Sequence, residues 1–366
     1  MLDFTSSLYL GLRHSSSVSR PWARLTPGVP AALASPPIAD AVAGDLAALT
    51  GTERALLFRS TLHAFWDLFG SLSRETSAIH IDLGAYPIGR WGVERAIARG
   101  VPVTTFPHRD AKALERQVAH PKAGTQRRPL VLADGLCPGC GALVPISKYL
   151  DILRPFGGRL VLDDTQSLGI YGDAADAAAP LGRGGGGSLR RAGISDPAVL
   201  LVSSLAKGFG APLAMLGGSR AAVARLEAES ETRVHCSPPS FPDLHAAERA
   251  LHVNAVEGDS RRARLVALIR RFHRGLVRLG LSASRSLFPI QSLDPIPGLT
   301  AAALHDALQR RGIRAVLHRP ECRPVPTVSF VFTASHDPRA IDRVLEVLAV
   351  VISQAKAPVS HARRAV

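Results

Sequence analysis

The sequence predicts an α/β protein whose core is a mainly parallel sheet covered by helices on both faces. Three observations carry that reading. Short apolar runs recur at Ala55–Phe58, Ala78–Ile81, Val103–Phe106, Leu130–Leu132, Arg159–Leu162, Val199–Val202 and Met215–Leu216. Helical or loop segments separate them, the alternation that parallel strands with crossover connections require. Polar residues sit just past several of these runs, where open sheets of this kind hold their ligands.

Taken in order, Asp3–Leu12 reads as a short extended arm, and residues 21–37 are loop-like. A helix is expected over Ile38–Leu49, with Val42, Leu46 and Leu49 on one face and Gly51 ending it. After Ala55–Phe58, the hydroxyl pair Ser60-Thr61 leads into a helix over His63–Leu72. A strand, turn and helix start of this kind offers backbone N–H groups and a favourable dipole to an anion, although an ordinary capped helix would read the same way. Ala78–Ile81 is followed by Gly84-Ala85-Tyr86-Pro87 and a helix over Trp91–Ala98. The glycine run within Leu181–Ser188 suits a mobile loop and lacks the Gly-Lys-Ser/Thr ending of a nucleotide-binding loop.

A long amphipathic helix is expected over Ser260–Gly280, with Leu265, Leu268, Ile269, Phe272, Leu276 and Leu279 inward and its arginines on a solvated face. A helix capped by Thr300 and closed by Gly312 follows, then strands near Ile313–Leu317 and Val328–Phe332 and a last helix over Pro338–Ser353. This part reads as an α+β unit of its own. The expected organisation is an N-terminal arm over 1–37, a large domain over 38–258, a small domain over 259–355 and a basic tail over 356–366.

At 366 residues, 46% hydrophobic and 20% charged, the chain can bury a sizeable core. The excess of 44 Lys and Arg over 30 Asp and Glu gives a net charge of +14, which suits a phosphate-bearing cofactor or a coenzyme A thioester. Its basic residues are scattered and accompany no nucleic-acid motif, so nucleic-acid binding is not expected. No run of about 18 apolar residues suggests a membrane span, and the first residues resemble no leader, so a cytoplasmic location is expected. Of Cys137, Cys140, Cys236 and Cys322, the first two form a Cys-x-x-Cys without a second pair at ligand spacing. Free loop thiols and no metal are expected.

Two segments then concentrate the chemistry: Leu160-Val161-Leu162-Asp163-Asp164-Thr165-Gln166 and Ser203-Ser204-Leu205-Ala206-Lys207-Gly208-Phe209-Gly210. Asp163 and Lys207 are the pair that pyridoxal phosphate needs, an anion for its pyridine nitrogen and an amine for its Schiff base. Further motifs stand in order around them: Phe4–Leu12, Ala55–Phe58, Leu162–Gly169, Gly217-Gly218-Ser219 and Phe288-Pro289-Ile290-Gln291. With these the chain resembles the α-oxoamine synthases, a family of fold-type I pyridoxal phosphate enzymes, from Asp3 to about Leu348. The resemblance implies a fold-type I transferase with a mainly parallel sheet and a smaller C-terminal α+β domain. It further implies a homodimer that condenses an amino acid with an acyl thioester, of coenzyme A or an acyl carrier protein, with loss of carbon dioxide.

By position, the resemblance makes Lys207 the Schiff-base lysine and Asp163 the partner of the pyridinium. Ser204 takes the place of a phosphate-binding hydroxyl, and Thr61-Leu62, after Ser60, that of a Gly-aromatic pair whose amides hold the same phosphate. Tyr86 replaces a ring-stacking histidine, a role an aromatic ring can keep. Gln166 replaces a histidine near the phenolic oxygen, where an amide can donate a hydrogen bond but cannot titrate. Pro138 falls where a serine is usual, and Ser237 is positioned to reach the phosphate of a partner subunit. The largest departure is Thr327-Val328-Ser329-Phe330, which puts Ser329 where the family has an arginine that clamps the substrate carboxylate. Arg59, Arg90, His318 and Arg319 are candidate substitutes. This departure leaves open an aminotransferase or another carbanion-forming enzyme, and a non-catalytic binding protein on the same fold.

Overall fold

A computed structural model describes residues 1–19, 21–119, 128–320, 322 and 325–356. The expected basic tail beyond residue 356 lies outside them. A seven-stranded sheet organises the chain. Its strands are β1 (Arg54–Phe58), β2 (Thr76–Asp82), β3 (Val103–Phe106), β4 (Arg128–Asp134), β5 (Arg159–Asp163), β6 (Val199–Ser204) and β7 (Ala214–Gly218). They lie in the order β1-β7-β6-β5-β4-β2-β3. From β6 through β3 every neighbour is parallel, whereas β7 runs antiparallel to both β6 and β1. A single reversed strand therefore sits in an otherwise parallel sheet.

Alternation across the pleat explains why the strands read as unbroken apolar runs. Leu160 and Leu162 of β5, Val131 of β4 and Leu201 of β6 join one core, while Val161, Leu132, Leu200 and Val202 join a second on the opposite face. In the central strands β4, β5 and β6 both faces are buried, so no polar position interrupts the apolar run. Helices α1 (Pro37–Thr50), α5 (Ile146–Leu153) and α7 (Phe241–Arg278) close the first core, through Val42, Tyr149 and Leu244 among others. Helices α2 (Thr61–Leu72), α3 (Pro87–Ile97) and α6 (Arg220–Glu229) close the second, through Phe65, Val93 and Val223. Helix α4 (Ala111–Val118) follows β3 and buries Leu114 in the first core.

Three sequence expectations change. The helix expected from Ser260 begins at Phe241 and runs without interruption through position 258. Ser240 starts it with a capping box, its hydroxyl accepting from the Asp243 N–H while the Asp243 carboxylate accepts from the Ser240 N–H. Its first turns bury Ala246, Ala247 and Ala250, whose small side chains make a weak periodic signal.

Not all of its arginines face solvent. Arg262 is 2% exposed, and its guanidinium donates to Gly169 O and Asn254 Oδ1 at 2.8 Å each and to Asp259 Oδ1 at 2.7 Å. The glycine run is no mobile loop either. Gly169 N–H donates to Gly185 O at 2.8 Å, Gly187 N–H to Tyr171 O at 2.7 Å and the Asn254 amide to Gly184 O at 2.8 Å. Glycine is needed there by packing: a Cβ on Gly187, at φ +90°, would lie 1.9 Å from Asp164 Oδ2.

The C-terminal part forms an antiparallel sheet of β8 (Ile290–Ser292), β9 (Val316–His318) and β10 (Thr327–Val331), ordered β9-β10-β8. Helices α8 (Ala301–Arg310) and α9 (Pro338–Lys356) cover it. The N-terminal arm belongs to this unit as well, because Leu2–Asp3 pairs parallel with Ile313–Arg314 and Phe4 packs edge-on against Phe330 and Phe332. Among the described residues no helix is long and apolar enough to cross a membrane.

Candidate active site

Strands β2, β4, β5 and β6 end at Asp82, Asp134, Asp163 and Ser204 on one edge of the sheet. Asp134 and Asp163 are register partners, so two carboxyl groups lie side by side there. The turn after β6 carries Lys207. Leu205 and Phe209, both fully buried, anchor it, and the Phe209 and Ala211 N–H groups both donate to Leu205 O. Gly208 packs so closely on the next segment that a Cβ would stand 2.4 Å from Leu168 O. This turn holds the Lys207 amine 5.6 Å from the centroid of the Tyr86 ring.

Burial controls the electrostatics. Chiefly through desolvation, Asp163 is raised above the ordinary carboxylate range, although the Thr165 N–H at 3.0 Å and the Lys207 charge favour its ionised form. Asp134 is raised further, by burial and then by the Asp163 charge beside it, despite the Tyr86 N–H that donates to its Oδ1 at 3.0 Å. Desolvation lowers Lys207, while Asp163 and Asp134 oppose that shift. Two acids and one amine thus share a poorly solvated pocket whose charged forms depend on one another.

The remaining expected residues arrange around this group to different degrees. Thr165 connects Asp163 to Ser204, since its Oγ1 accepts the Ser204 N–H at 3.0 Å. The Ser204 hydroxyl accepts from the Ala206 N–H at 3.2 Å. Gln166 is buried, and its Oε1 accepts the Tyr9 hydroxyl at 2.6 Å. Ser60 caps α2 and its hydroxyl pairs with His63 Nδ1 at 2.8 Å. Thr61 and Leu62 open that helix, so their N–H groups are among those with no acceptor inside it. Ser237 is exposed in the turn before α7, and among the described residues it makes no hydrogen bond to the Lys207 group.

Two residues were missed in the sequence, Asp134 and Tyr9. Asp134 did carry a signal, because it closes its strand as Asp163 closes the next one. Tyr9 carried none beyond its place in an N-terminal motif; only the fold lays the arm across Gln166. Ser329, expected from the resemblance to stand where an arginine is usual, is 1% exposed and hydrogen-bonded to Ser292 Oγ at 2.8 Å and His318 Nε2 at 2.7 Å. Of the candidate substitutes, His318 alone is bonded to Ser329 among the described residues. Arg90 is committed to Ala85 O at 3.0 Å and to Leu83 O, and Arg59 and Arg319 are exposed. The four cysteines are free thiols, as expected, but they are not all apart: Cys137 lies against Cys322, and Cys140 against His108.

Residues 31–348 match the family model described as aminotransferase class I and II. The chain belongs to that family. The 8-amino-7-oxononanoate synthase of Halorhodospira halophila is 31% identical over 322 residues, 86% of this chain and 75% of that protein. The protein of the same name from Marinobacter nauticus is 30% identical over 309 residues, 83% of this chain and 73% of that protein. Among solved structures, a Sphingomonas wittichii serine palmitoyltransferase superposes with a TM-score of 0.81 at 16% identity, covering 96% of this chain and 87% of that one. An 8-amino-7-oxononanoate synthase from Francisella tularensis gives 0.72 at 19% identity, covering 96% and 98%.

This family member is an α-oxoamine-synthase-like enzyme of fold type I, and its cofactor is pyridoxal phosphate. The pocket suits that group. Lys207 and Asp163 attract one another, yet among the described residues the amine makes no direct ion pair. A buried amine and a buried carboxyl group at the ends of adjacent strands are the functional groups that this cofactor needs.

Proposed function

We propose that this protein condenses an amino acid with an acyl thioester, using Lys207, Asp163, Asp134, Gln166 and Tyr86 at the reacting centre. Pyridoxal phosphate supplies an electron sink for a carbanion at the amino-acid α-carbon. Asp163 would hold a proton on the pyridine nitrogen, a role suited to a buried carboxyl group whose ionised form the Lys207 charge favours. Lys207 would carry the cofactor and, once released, move the proton at the α-carbon. Its lowered proton affinity favours that role, because an amine must be neutral to accept a proton. Tyr86 would cover one ring face. Gln166, with Oε1 occupied by Tyr9, keeps its NH2 donors for the phenolic oxygen. The Thr61 and Leu62 amides and the Ser204 hydroxyl would take the phosphate.

The observation that carries this reading is the Lys207 amine facing Asp163 and Asp134 from beneath the Tyr86 ring. Thiol release from a panel of acyl thioesters and amino acids, with protein reconstituted in pyridoxal phosphate, tests it. Lys207→Ala should lower the rate by about 10²-fold or more, the usual scale for a positioned proton carrier. No thiol release from any pair would end this reading, and conversion of the cofactor to its amine form by an amino donor alone would favour an aminotransferase.

A homodimer belongs to the same proposal. Leu62, Trp66, Leu83, Tyr86 and Trp91 are 40–51% exposed on α2, α3 and the turn between β2 and α3. An exposed apolar and aromatic group of this kind suits burial against a second copy, whose Ser237 would then contribute to the phosphate site. Sedimentation of the holoenzyme as a monomer that retains cofactor would oppose it.

A further inference from the structure

Three of the four cysteines in the chain converge with one histidine just past the end of β4. Cys137 Sγ lies 3.5 Å from Cys322 Sγ, and Cys140 Sγ lies 3.5 Å from His108 Nε2. The donor atoms of His108, Cys137 and Cys140 all fall within 4.8 Å of one another. The geometry points to a closed tetrahedral zinc site formed by His108, Cys137, Cys140 and Cys322, which ties Cys322 to the turn after β4.

Donor spacing is the first support. Zinc binds thiolate at about 2.3 Å and imidazole at about 2.0–2.1 Å, so tetrahedral ligands lie roughly 3.8 Å apart for two sulfurs and roughly 3.6 Å for sulfur and nitrogen. Both observed separations fall close to these values. The second support is the shape of the turn. Residues Leu136 and Leu143 form a bridge, Cys137 N–H donates to Ala142 O at 3.0 Å, and Gly141 N–H donates to Cys137 O at 2.8 Å. This hairpin brings Cys137 and Cys140 to one side. Gly141 takes φ +69°, and a Cβ on Gly139 would lie 2.6 Å from Cys322 Sγ, so glycine lets the third thiol approach.

The histidine is oriented for the task. Its Nδ1 lies 2.6 Å from Asp82 Oδ1, which leaves Nε2 as the nitrogen turned towards Cys140. Asp82 is itself held by the Gly84 N–H at 2.7 Å, the Arg109 N–H at 3.0 Å and the Tyr149 hydroxyl at 3.1 Å. Arg109 adopts φ 62°, a conformation that non-glycine residues take only when the surroundings enforce it, and it aims that N–H at Asp82. A carboxylate on the far nitrogen of a ligating imidazole is the usual outer support of a zinc site. Four protein ligands leave no open position, so the role is structural, and binding would release the thiol protons to solvent.

Ordinary packing of apolar thiols does not require three of four cysteines to meet at an oriented imidazole. A Cys137–Cys322 disulfide is the competing chemistry, and it would leave Cys140 and His108 without a shared purpose. The inference stands apart from the reaction proposed above, since it involves neither Lys207 nor Asp163.

Metal analysis of the purified full-length protein tests it. About one zinc per chain should survive dialysis and be released by a strong chelator, with a lowered melting temperature. Cobalt added to the chelated protein should give the intense visible bands of a tetrahedral, sulfur-rich site. Cys140→Ser and Cys322→Ser should each lower zinc occupancy about tenfold or more, and Asp82→Asn should weaken affinity about 10–100-fold. Cys236→Ser should leave occupancy unchanged. Retained cofactor absorbance in the variants would show that they fold. Folded protein that takes up neither zinc nor cobalt would overturn the inference, whether denatured thiol titration then found four thiols or only two.

Discussion

Replacing Tyr9 by Phe removes one hydroxyl and leaves its ring against Phe288, where the centroids stand 5.5 Å apart. The lost bond is short, 2.6 Å, and both partners are nearly out of solvent, Tyr9 at 1% and Gln166 at 7% exposure. A neutral hydrogen bond contributes about 1 kcal/mol net, and a buried acceptor stripped of its donor costs about 1–3 kcal/mol. A stability loss of about 1–2 kcal/mol is therefore expected in urea unfolding. If Tyr9 also holds the Gln166 amide towards the cofactor, kcat/KM should fall about 5–30-fold, the rate equivalent of the same energy.

A double-mutant cycle with Gln166→Leu isolates the pair, and its coupling energy should be about 1 kcal/mol. Additivity within about 0.3 kcal/mol in both stability and kcat/KM would refute the link. An alkaline titration adds a second readout. Burial raises the Tyr9 phenol above its ordinary value of 10.0. Its contribution to stability is complete below about pH 10, where the unfolded phenol also keeps its proton, and is lost as pH rises beyond that. Tyr9→Phe should reduce this alkaline loss.

Asp164 is fully buried, and burial raises its carboxyl to about 7 against the Ser188 N–H that donates to it. Its folded pKa exceeds the unfolded one, so its contribution is complete below about pH 4 and is lost as pH rises through about 7, at up to about 1.4 kcal/mol per pH unit. Asp164→Asn should flatten the pH dependence of the urea midpoint across that window, and an unchanged slope would count against it. Gly187→Ala sets a Cβ 1.9 Å from Asp164 Oδ2 at φ +90° and should cost about 2 kcal/mol or more, measured in the same assay. A loss under about 0.5 kcal/mol would mean that the glycine run adapts. His318→Ala should raise KM for the amino acid about tenfold with little change in kcat, if the His318–Ser329 pair serves the carboxylate. Equal losses in kcat and kcat/KM would assign His318 elsewhere.

Strands were the most legible part of the fold. Each central strand is buried on both faces, so its apolar run is uninterrupted and its ends are marked by polar or glycine turns. The first half of α7 was much harder to read, because alanines bury there without the bulk that makes a periodic stripe. Arg262 and the glycine run misled in opposite ways. An arginine on a basic helix face reads as solvated until Gly169 O is brought to it from a distant segment, beside Asn254 two turns earlier on the same helix. A glycine run reads as mobile until the atoms that exclude a Cβ are in place.

By itself the sequence determined the strands of the sheet, the family resemblance and Lys207 and Asp163 as a candidate pair. Those follow from patterns confined to single segments: a strand, its polar end and the turn beyond it. The tertiary structure decided the rest of the site. Asp134 beside Asp163 depends on strand register, Tyr9 on Gln166 depends on where the N-terminal arm docks, and His318 on Ser329 depends on a pairing of strands. The convergence of His108, Cys137, Cys140 and Cys322 needs three separate segments to meet. Local pattern carries no distance between residues far apart in the chain, and that distance is what hydrogen bonding, charge coupling and metal ligation require.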